Sequence, residues 1–183
     1  MSMVRAEGIA LVRGGRLLFD RLDFALDAGE ALHLTGPNGA GKSSLIRLIA
    51  GLLKPSAGRI ERPQVALADE GLALDREQPL ASALALWGGS RTDEAMHAFG
   101  LGSLGAVPVR ILSTGQAKRA RLARVMASGA PLWLLDEPLN GLDSDGAHRL
   151  AQAVDRHRSD GGALVVASHL PLPGDWRGLE LGR

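Results

Sequence analysis

Three short apolar runs along the chain predict buried β-strands. They cover residues 31–35, 132–135 and 163–168. None approaches the roughly 20 apolar residues of a helix that spans a bilayer. Short runs that are apolar at successive positions are typical of parallel strands covered on both faces by helices. The pattern therefore predicts an α/β fold with a mainly parallel core sheet flanked by helices.

The segments around these runs predict further elements. Residues 3–34 contain short strand patterns separated by turns at Gly14 and Gly29, which predicts an antiparallel β flank. Residues 42–50 predict a helix ended by the following glycine, and residues from about 144 to 158 predict another.

The remaining segments suggest how the chain is organised. Residues 71–110 are rich in Ala and Leu with weak helical periodicity, which predicts a small helical lobe. We expect a single domain over residues 1–183, whose catalytic core and β flank take in about 3–70 and 111–183. The tail, residues 171–183, is expected to be short and irregular.

Composition narrows the possible partners. The chain has 183 residues, no cysteine and a formal net charge of +1. A chain of this size can bury a substantial core, and without cysteine it has no disulfide framework and no thiolate metal site. Its near-neutral charge gives no overall attraction to nucleic acid or membranes. Residues 1–8 do not have the pattern of a signal peptide. We therefore expect no nucleic-acid partner, and expect any membrane work to be done by other subunits.

A glycine-rich segment of the form GxxxxGK[ST] follows the first apolar run. Glycines let backbone N–H groups approach phosphate oxygens closely, at a helix N-terminus whose dipole favours an anion. Lys42 would reach the β- and γ-phosphates of ATP, and the Ser43 hydroxyl would ligate Mg²⁺. A plain glycine turn has no need of lysine followed by serine. The predicted ATP-binding residues here are Gly36, Pro37, Asn38, Gly39, Ala40, Gly41, Lys42, Ser43 and Ser44.

Two adjacent carboxylates, Asp136 and Glu137, follow the second apolar run. Open α/β sheets place their ligands at the carboxyl ends of their strands. We expect Asp136 to hold the hydration shell of Mg²⁺ and Glu137 to polarise the attacking water as a general base. An acidic helix start after a core strand is the alternative for these two residues taken alone.

A histidine, His169, follows the third run at the same sheet edge. It could hydrogen-bond a γ-phosphate oxygen and respond to the loss of that phosphate, which would make it the second catalytic residue. Taken alone, a histidine at a strand end is more often an ordinary loop residue.

Two further segments carry a family resemblance. Leu112-Ser113-Thr114-Gly115-Gln116 resembles the signature of ABC-type ATPases, and Gly141-Leu142-Asp143 resembles their D-loop. With the glycine loop, the acidic strand end and His169, the resemblance extends over about residues 4–170. It implies a P-loop NTPase fold of the ABC ATPase type, ATP and Mg²⁺ as cofactors, and ATP hydrolysis coupled to transport.

The resemblance also implies partners. In that family two copies pack head to tail, so that Ser113, Thr114, Gly115 and Gln116 of one copy would act on the ATP held by the other. Asp143 would run between the two sites. Ser113 must also cap the helix that follows it. Membrane-spanning transporter subunits are implied as well, with this chain peripheral on the cytoplasmic face of the bacterial inner membrane.

A narrower likeness lies in residues 107–110, 130–138 and 169–172. Together with the small size of the chain, these segments resemble the ATP-binding subunits of the haem exporters of cytochrome c maturation. The likeness implies haem as the cargo. An ATPase subunit of another ABC transporter is the alternative.

Two positions depart from the family pattern. Residues 65–71 lack the glutamine that the family uses at Mg²⁺; Glu70 or Asp69 could ligate the ion instead, although a carboxylate adds negative charge beside the triphosphate. No tyrosine is available to stack on adenine, and Arg13 could lie over the ring in its place. Exposed loop acids and a solvated Arg13 are the alternatives.

Two other classes of protein remain as alternatives. A small-molecule kinase would use the same phosphate loop, but has no reason to carry the signature or Asp143. A soluble ABC module acting on nucleic acid generally has two cassettes or a long coiled coil.

The helix after the signature carries a basic cluster, which is more readily explained as a solvated or ion-paired face than as a nucleic-acid patch. The cluster consists of Lys118, Arg119, Arg121 and Arg124.

Overall fold

Among the described residues, eight strands in two sheets form the framework of the protein. The computed structural model describes residues 2–71, 73–169 and 174–182. The strands are β1 (Val4–Arg13), β2 (Arg16–Leu26), β3 (Ala31–Thr35), β4 (Ala57–Glu61), β5 (Val65–Ala68), β6 (Leu132–Asp136), β7 (Ala163–Ala167) and β8 (Arg177–Glu180).

The larger sheet is parallel, with strand order β5-β6-β7-β3-β8. Its central strands β3, β6 and β7 are the three apolar runs, and every residue of β7 is buried. Because the strands are parallel, the loops after β3, β6 and β7 leave the same edge of the sheet. The predicted α/β fold with a mainly parallel core sheet is confirmed.

The smaller sheet is the antiparallel flank, in the order β2-β1-β4. β1 and β2 form a hairpin around Gly14 and Gly15, with Arg13 opposite Arg16. This hairpin matches the predicted flank, and β4 adds a strand that the sequence pattern did not indicate.

Within the part of the chain that the structure describes, five helices accompany the sheets. They are α1 (Lys42–Ile49), α2 (Leu80–Gly88), α3 (Thr92–Ala98), α4 (Thr114–Ala127) and α5 (Ser144–Ser159), with short 3-10 turns at Gly89–Arg91, Gly102–Leu104 and Val109–Ile111. α2 and α3 form the small helical lobe and pack against α4. The division of the chain into core and lobe segments at residues 70 and 111 stays a prediction.

The parallel sheet separates two hydrophobic clusters. In β6, Trp133 and Leu135 face α4, α5 and the lobe, whereas Leu132 and Leu134 face α1 and the antiparallel sheet. All four side chains are buried. Burial of each such side chain contributes roughly 1.5–3 kcal/mol. This two-sided burial holds the loops at the carboxyl edge of the sheet in place.

The tail is more ordered than the sequence pattern predicted. β8 adds a parallel edge strand beside β3, and Leu181 follows it with its N–H donating to the Thr35 carbonyl at 2.9 Å. The expectation of an irregular tail is therefore wrong for Arg177–Glu180. A four-residue strand with one pair of alternating leucines is too short to be recognised by its pattern, and its pairing depends on β3. Residues 170–173 and Arg183 lie outside the described residues, and with them the parts of the predicted tail and of the likeness at 169–172 that they contain.

Candidate functional site

The loop between β3 and α1 depends on glycine at particular positions. Gly36 has a φ of 128°, and a Cβ at this position would collide with the backbone carbonyl of Leu181. Gly41, with a φ of 102°, lies against Leu18 and Phe19 of β2. Positive φ and close approach together exclude larger residues. The turn that leads into α1 therefore requires glycine at both positions.

Lys42, the first residue of α1, is 8% exposed. Its Nζ donates to the carbonyls of Gly36 at 2.7 Å and Pro37 at 3.1 Å. The ammonium group therefore lies within the curve of the loop. A cation at a helix N-terminus with free N–H groups makes a site suited to polyphosphate.

A cavity of about 420 Å³ opens above this loop. It collects residues from the glycine loop, the β1–β2 hairpin and the ends of β6 and β7. They are Arg13, Leu18, Asn38, Gly39, Gly41, Lys42, Ser43, Ser44, Glu137 and His169. The fold thus brings the predicted phosphate loop, the predicted base and the predicted histidine into one space.

Ser43 and Asp136 meet beside the cavity. The Ser43 hydroxyl donates to Asp136 Oδ1 at 3.1 Å. Burial raises the pKa of Asp136, the Ser43 hydrogen bond opposes this rise, and the charge of Glu137 adds to it. A divalent cation here would favour the ionised carboxylate. Since Mg²⁺ takes oxygen ligands and completes its shell with phosphate and water, this hydroxyl and carboxylate fit it.

Glu137 is held in an unusual backbone conformation, with a φ of 47°. Its N–H donates to the Ala167 carbonyl at 2.8 Å, and its carbonyl accepts from Lys118 Nζ at 2.9 Å. Its carboxylate Oε1 lies 3.5 Å from His169 Nε2. The His169 side chain is 55% exposed, so it can reach a ligand in the cavity. The two predicted catalytic side chains are therefore neighbours.

Arg13 and the acids Asp69 and Glu70, which lie where the sequence departs from the family pattern, have different surroundings. Arg13 lines the cavity, and its Nη1 donates to Ser44 Oγ at 3.4 Å. Glu70 is exposed and is not among the residues that line the cavity. The neighbouring Asp69 carboxylate lies 3.7 Å from Arg47 Nη2. The roles of Arg13 at adenine and of Glu70 or Asp69 at Mg²⁺ stay predictions.

The signature begins helix α4. Ser113 Oγ accepts from the Gln116 N–H at 3.3 Å, and Gln116 Oε1 accepts from the Ser113 N–H at 2.9 Å. This reciprocal pair is a capping box, as expected for a helix start at Ser113. Asp143 likewise caps α5 by accepting from the Gly146 N–H at 2.8 Å. Among the described residues, neither the signature nor Asp143 lines the cavity of its own chain.

The basic cluster of α4 is mostly not a solvated face. Three of its members donate to backbone carbonyls at the ends of β5 and β6. Within the described part of the chain, Arg119 is the one member in an ion pair, with Asp145 at 3.6 Å. The three bonds join Arg124 to Leu67 at 2.5 Å, Arg121 to Asp69 at 2.6 Å and Lys118 to Glu137 at 2.9 Å. Sequence reasoning missed these contacts. The spacing of three residues places these side chains on one face of the helix, but it does not show which backbone carbonyls they reach.

A glycine phosphate loop at a helix start, with a paired hydroxyl and carboxylate and a neighbouring acid, defines a P-loop nucleotide-binding domain. The sequence model of the ABC transporter family matches residues 19–140, and the chain belongs to this family.

Within this family, the chain is similar over most of its length to curated relatives that share one name. The cytochrome c biogenesis ATP-binding export protein CcmA of Sphingopyxis alaskensis is 52% identical over 177 residues, covering 93% of this chain and 91% of the relative. CcmA of Novosphingobium aromaticivorans is 57% identical over 171 residues, covering 91% of this chain and 88% of the relative.

Solved structures give the same fold. The ATP-binding subunit of an ABC transporter superposes with a TM-score of 0.85 at 23% identity, covering 92% of this chain and 80% of the other. A dimeric ATP-binding cassette bound to ADP and phosphate superposes with a TM-score of 0.81 at 21% identity, covering 92% and 88%. The predicted family and fold are confirmed, and the chain is an ATP-hydrolysing subunit of an ABC transporter. Within the described residues, no helix is both long and apolar enough to cross a membrane.

Proposed function

We propose that this chain is the ATPase subunit of the haem exporter of cytochrome c maturation. The observation that carries the proposal is identity of 52% and 57%, over about nine tenths of each chain, to proteins named for ATP-dependent export in cytochrome c biogenesis. Haem is the cargo implied by the likeness in residues 107–110 and 130–138.

ATP would bind with its phosphates in the loop from Gly36 to Ser44. Lys42 would turn from the loop carbonyls to the β- and γ-phosphates, since its ammonium is already inside the loop. Ser43 and Asp136 would hold Mg²⁺, which, when bound, neutralises charge that develops on the phosphates. Arg13 and Leu18 line the part of the cavity formed by the β1–β2 hairpin and would contact the base.

Glu137 would act as the general base. Its carboxylate faces the cavity, where it would orient a water molecule toward the γ-phosphate and accept its proton. His169 is close enough to Glu137 to share this water or to hydrogen-bond the γ-phosphate. Loss of the phosphate would remove that partner of His169, which makes the histidine a sensor of hydrolysis.

The signature would act on the ATP of a second copy packed head to tail. Ser113 and Thr114 are exposed, and the signature does not line the cavity of its own chain. The D-loop lies alongside, since a Cβ on Gly115 would be 3.8 Å from the Gly141 carbonyl. Both motifs are therefore available together to a partner.

Membrane-spanning subunits would bind the helical lobe, with the chain peripheral on the cytoplasmic face of the inner membrane. In α2, Leu86 is 80% exposed and Trp87 is 47% exposed, which leaves apolar surface for such a contact. No nucleic acid is part of this assembly.

The proposal is tested by recovering the tagged full chain from membranes in mild detergent. We expect cytochrome c maturation subunits to be recovered with it, and haem transfer in reconstituted vesicles to require ATP. Recovery of an unrelated permease would replace haem as the cargo while leaving the ATPase assignment in place. Recovery of neither, with no ATP-dependent transport, would contradict the proposal.

A further inference from the structure

Lys118 lies on α4, two residues after the signature, and bonds to the residue assigned as the base. Its Nζ donates to the Glu137 carbonyl at 2.9 Å across a separation of 19 residues in sequence. The chain contains three lysines, of which Lys42 serves the phosphate loop and Lys54 is exposed after α1. Lys118 is therefore the second of two lysines placed at the site.

The left-handed backbone conformation of Glu137 requires stabilising contacts such as the Lys118 hydrogen bond. A left-handed conformation at a non-glycine residue is strained and persists only where its surroundings fix it. The Glu137 N–H is fixed by the Ala167 carbonyl, and the Glu137 carbonyl accepts from both Lys118 and the Asn140 N–H, the latter at 3.2 Å. Without the ammonium, the carbonyl would keep only the longer of these two bonds.

The bond leaves the carboxylate of Glu137 available for chemistry. Lys118 binds the backbone oxygen, whereas the carboxylate lies beside His169 and the cavity. Lys118 is half-buried; burial and the charge of Arg121 lower its pKa, and the charges of Asp136, Glu137 and Glu70 act against this. The cation therefore lies among the acids of the site without forming an ion pair with the base.

We propose that Lys118 is a positioning residue that fixes the backbone of Glu137, and so the direction of its carboxylate, for hydrolysis of ATP. This inference rests on the role proposed above for Glu137. Misplacement of a reacting group by about 1 Å can slow a reaction about 100-fold, and Lys118 is not among the residues that line the cavity. Loss of the Lys118 bond should therefore lower kcat and leave KM for ATP nearly unchanged.

The experiment measures phosphate release by the full chain with Lys118→Met, Lys118→Arg and the matched control Lys54→Met. We expect Lys118→Met to lower kcat by about 10-fold to 100-fold, with KM within about twofold of wild type. Lys118→Arg can still donate to the carbonyl and should recover most of kcat. Lys54→Met removes the same charge at an exposed residue that does not line the cavity, and it should behave as wild type.

A double-variant comparison separates positioning from a general loss of structure. If Lys118 acts through Glu137, adding Lys118→Met to Glu137→Gln should not slow the residual hydrolysis further. An additional tenfold loss would overturn the inference. Should Lys118→Met fail to fold, Lys118→Gln replaces it. Its side chain is one bond shorter than that of lysine and loses the 2.9 Å contact with the carbonyl, so kcat should fall by about 10-fold to 100-fold with KM nearly unchanged. A kcat of Lys118→Gln equal to that of the wild type would also overturn the inference.

The two failures are distinguishable. Wild-type kcat in Glu137→Gln would remove the proposed base itself. Loss of hydrolysis in Glu137→Gln together with unchanged kcat in Lys118→Met would overturn the positioning role alone.

Discussion

The Ser43 hydroxyl and the Asp136 carboxylate are joined by a 3.1 Å hydrogen bond between α1 and the end of β6. These residues are 93 positions apart in sequence, yet they form one oxygen pair at the phosphate loop. Burial makes ionised Asp136 costly in the absence of a cation, as the raised pKa indicates. The ionised carboxylate therefore lowers the stability of the folded protein, and the proposed Mg²⁺ would offset that cost.

Replacing Asp136 with Asn should restore the stability that the buried, ionised carboxylate costs the folded protein. The pKa of Asp136 is higher in the folded protein than in the unfolded chain, so the folded protein holds this proton more tightly. The free energy of unfolding therefore falls as the pH rises from the unfolded pKa to the folded pKa. Asp136→Asn should therefore raise Tm at pH 7 without nucleotide, and the gain should vanish below about pH 4, where aspartate is protonated in the unfolded chain as well.

The same substitution should weaken Mg²⁺-dependent ATP hydrolysis at least tenfold, because the metal loses a charged oxygen partner. Thermal melts from pH 3 to pH 8 and Mg²⁺ titrations of activity measure the two effects. Asp145→Asn provides a control, since that carboxylate is exposed and paired with Arg149. A lower Tm for Asp136→Asn at pH 7 would contradict the electrostatic explanation.

Glu137→Gln should separate binding from hydrolysis. The amide keeps the size of the side chain but cannot accept the proton of water, so we expect phosphate release to fall by about 10²–10⁴-fold. With Mg-ATP, the variant should accumulate as a dimer in sedimentation velocity, because ATP shared by two copies is no longer consumed. A monomer at saturating Mg-ATP would count against the head-to-tail site.

Arg13→Ala should weaken nucleotide binding. If the guanidinium lies over the base, its loss removes a stacking contact of about 0.5–2 kcal/mol, which corresponds to a rise in Kd of about 2-fold to 30-fold. Fluorescent-ATP titration measures the change. Arg16, directly opposite Arg13 in the hairpin but not among the residues lining the cavity, is the matched control. Equal Kd values for the two alanine variants would assign Arg13 to solvent.

Gly36→Ala should be more damaging than Gly15→Ala. Both glycines have positive φ, but only the Cβ at Gly36 would meet another backbone group, the Leu181 carbonyl. We expect a loss of about 1 kcal/mol for Gly15→Ala from backbone strain alone, and of several kcal/mol for Gly36→Ala. Urea denaturation of both variants checks this, and equal losses would show that β8 yields to the new methyl group.

The elements that the sequence predicted are those whose signals are local. The phosphate loop, the acids after β6 and the histidine after β7 follow apolar runs, and parallel pairing then gathers them at one edge. The partners of Lys118, Arg121 and Arg124 could not be predicted, because those partners are backbone carbonyls distant in sequence. Any residue type supplies such a carbonyl, so no pattern marks it.

The pairing of β8 with β3 sets when the nucleotide site can be completed during protein synthesis. The phosphate loop leaves the ribosome early, but the strand beside β3 and the Leu181 carbonyl behind Gly36 come about 140 residues later. At 5–20 residues per second, this interval is on the order of ten seconds. The nascent chain would therefore present its phosphate loop without β8 and without the Leu181 carbonyl during that time.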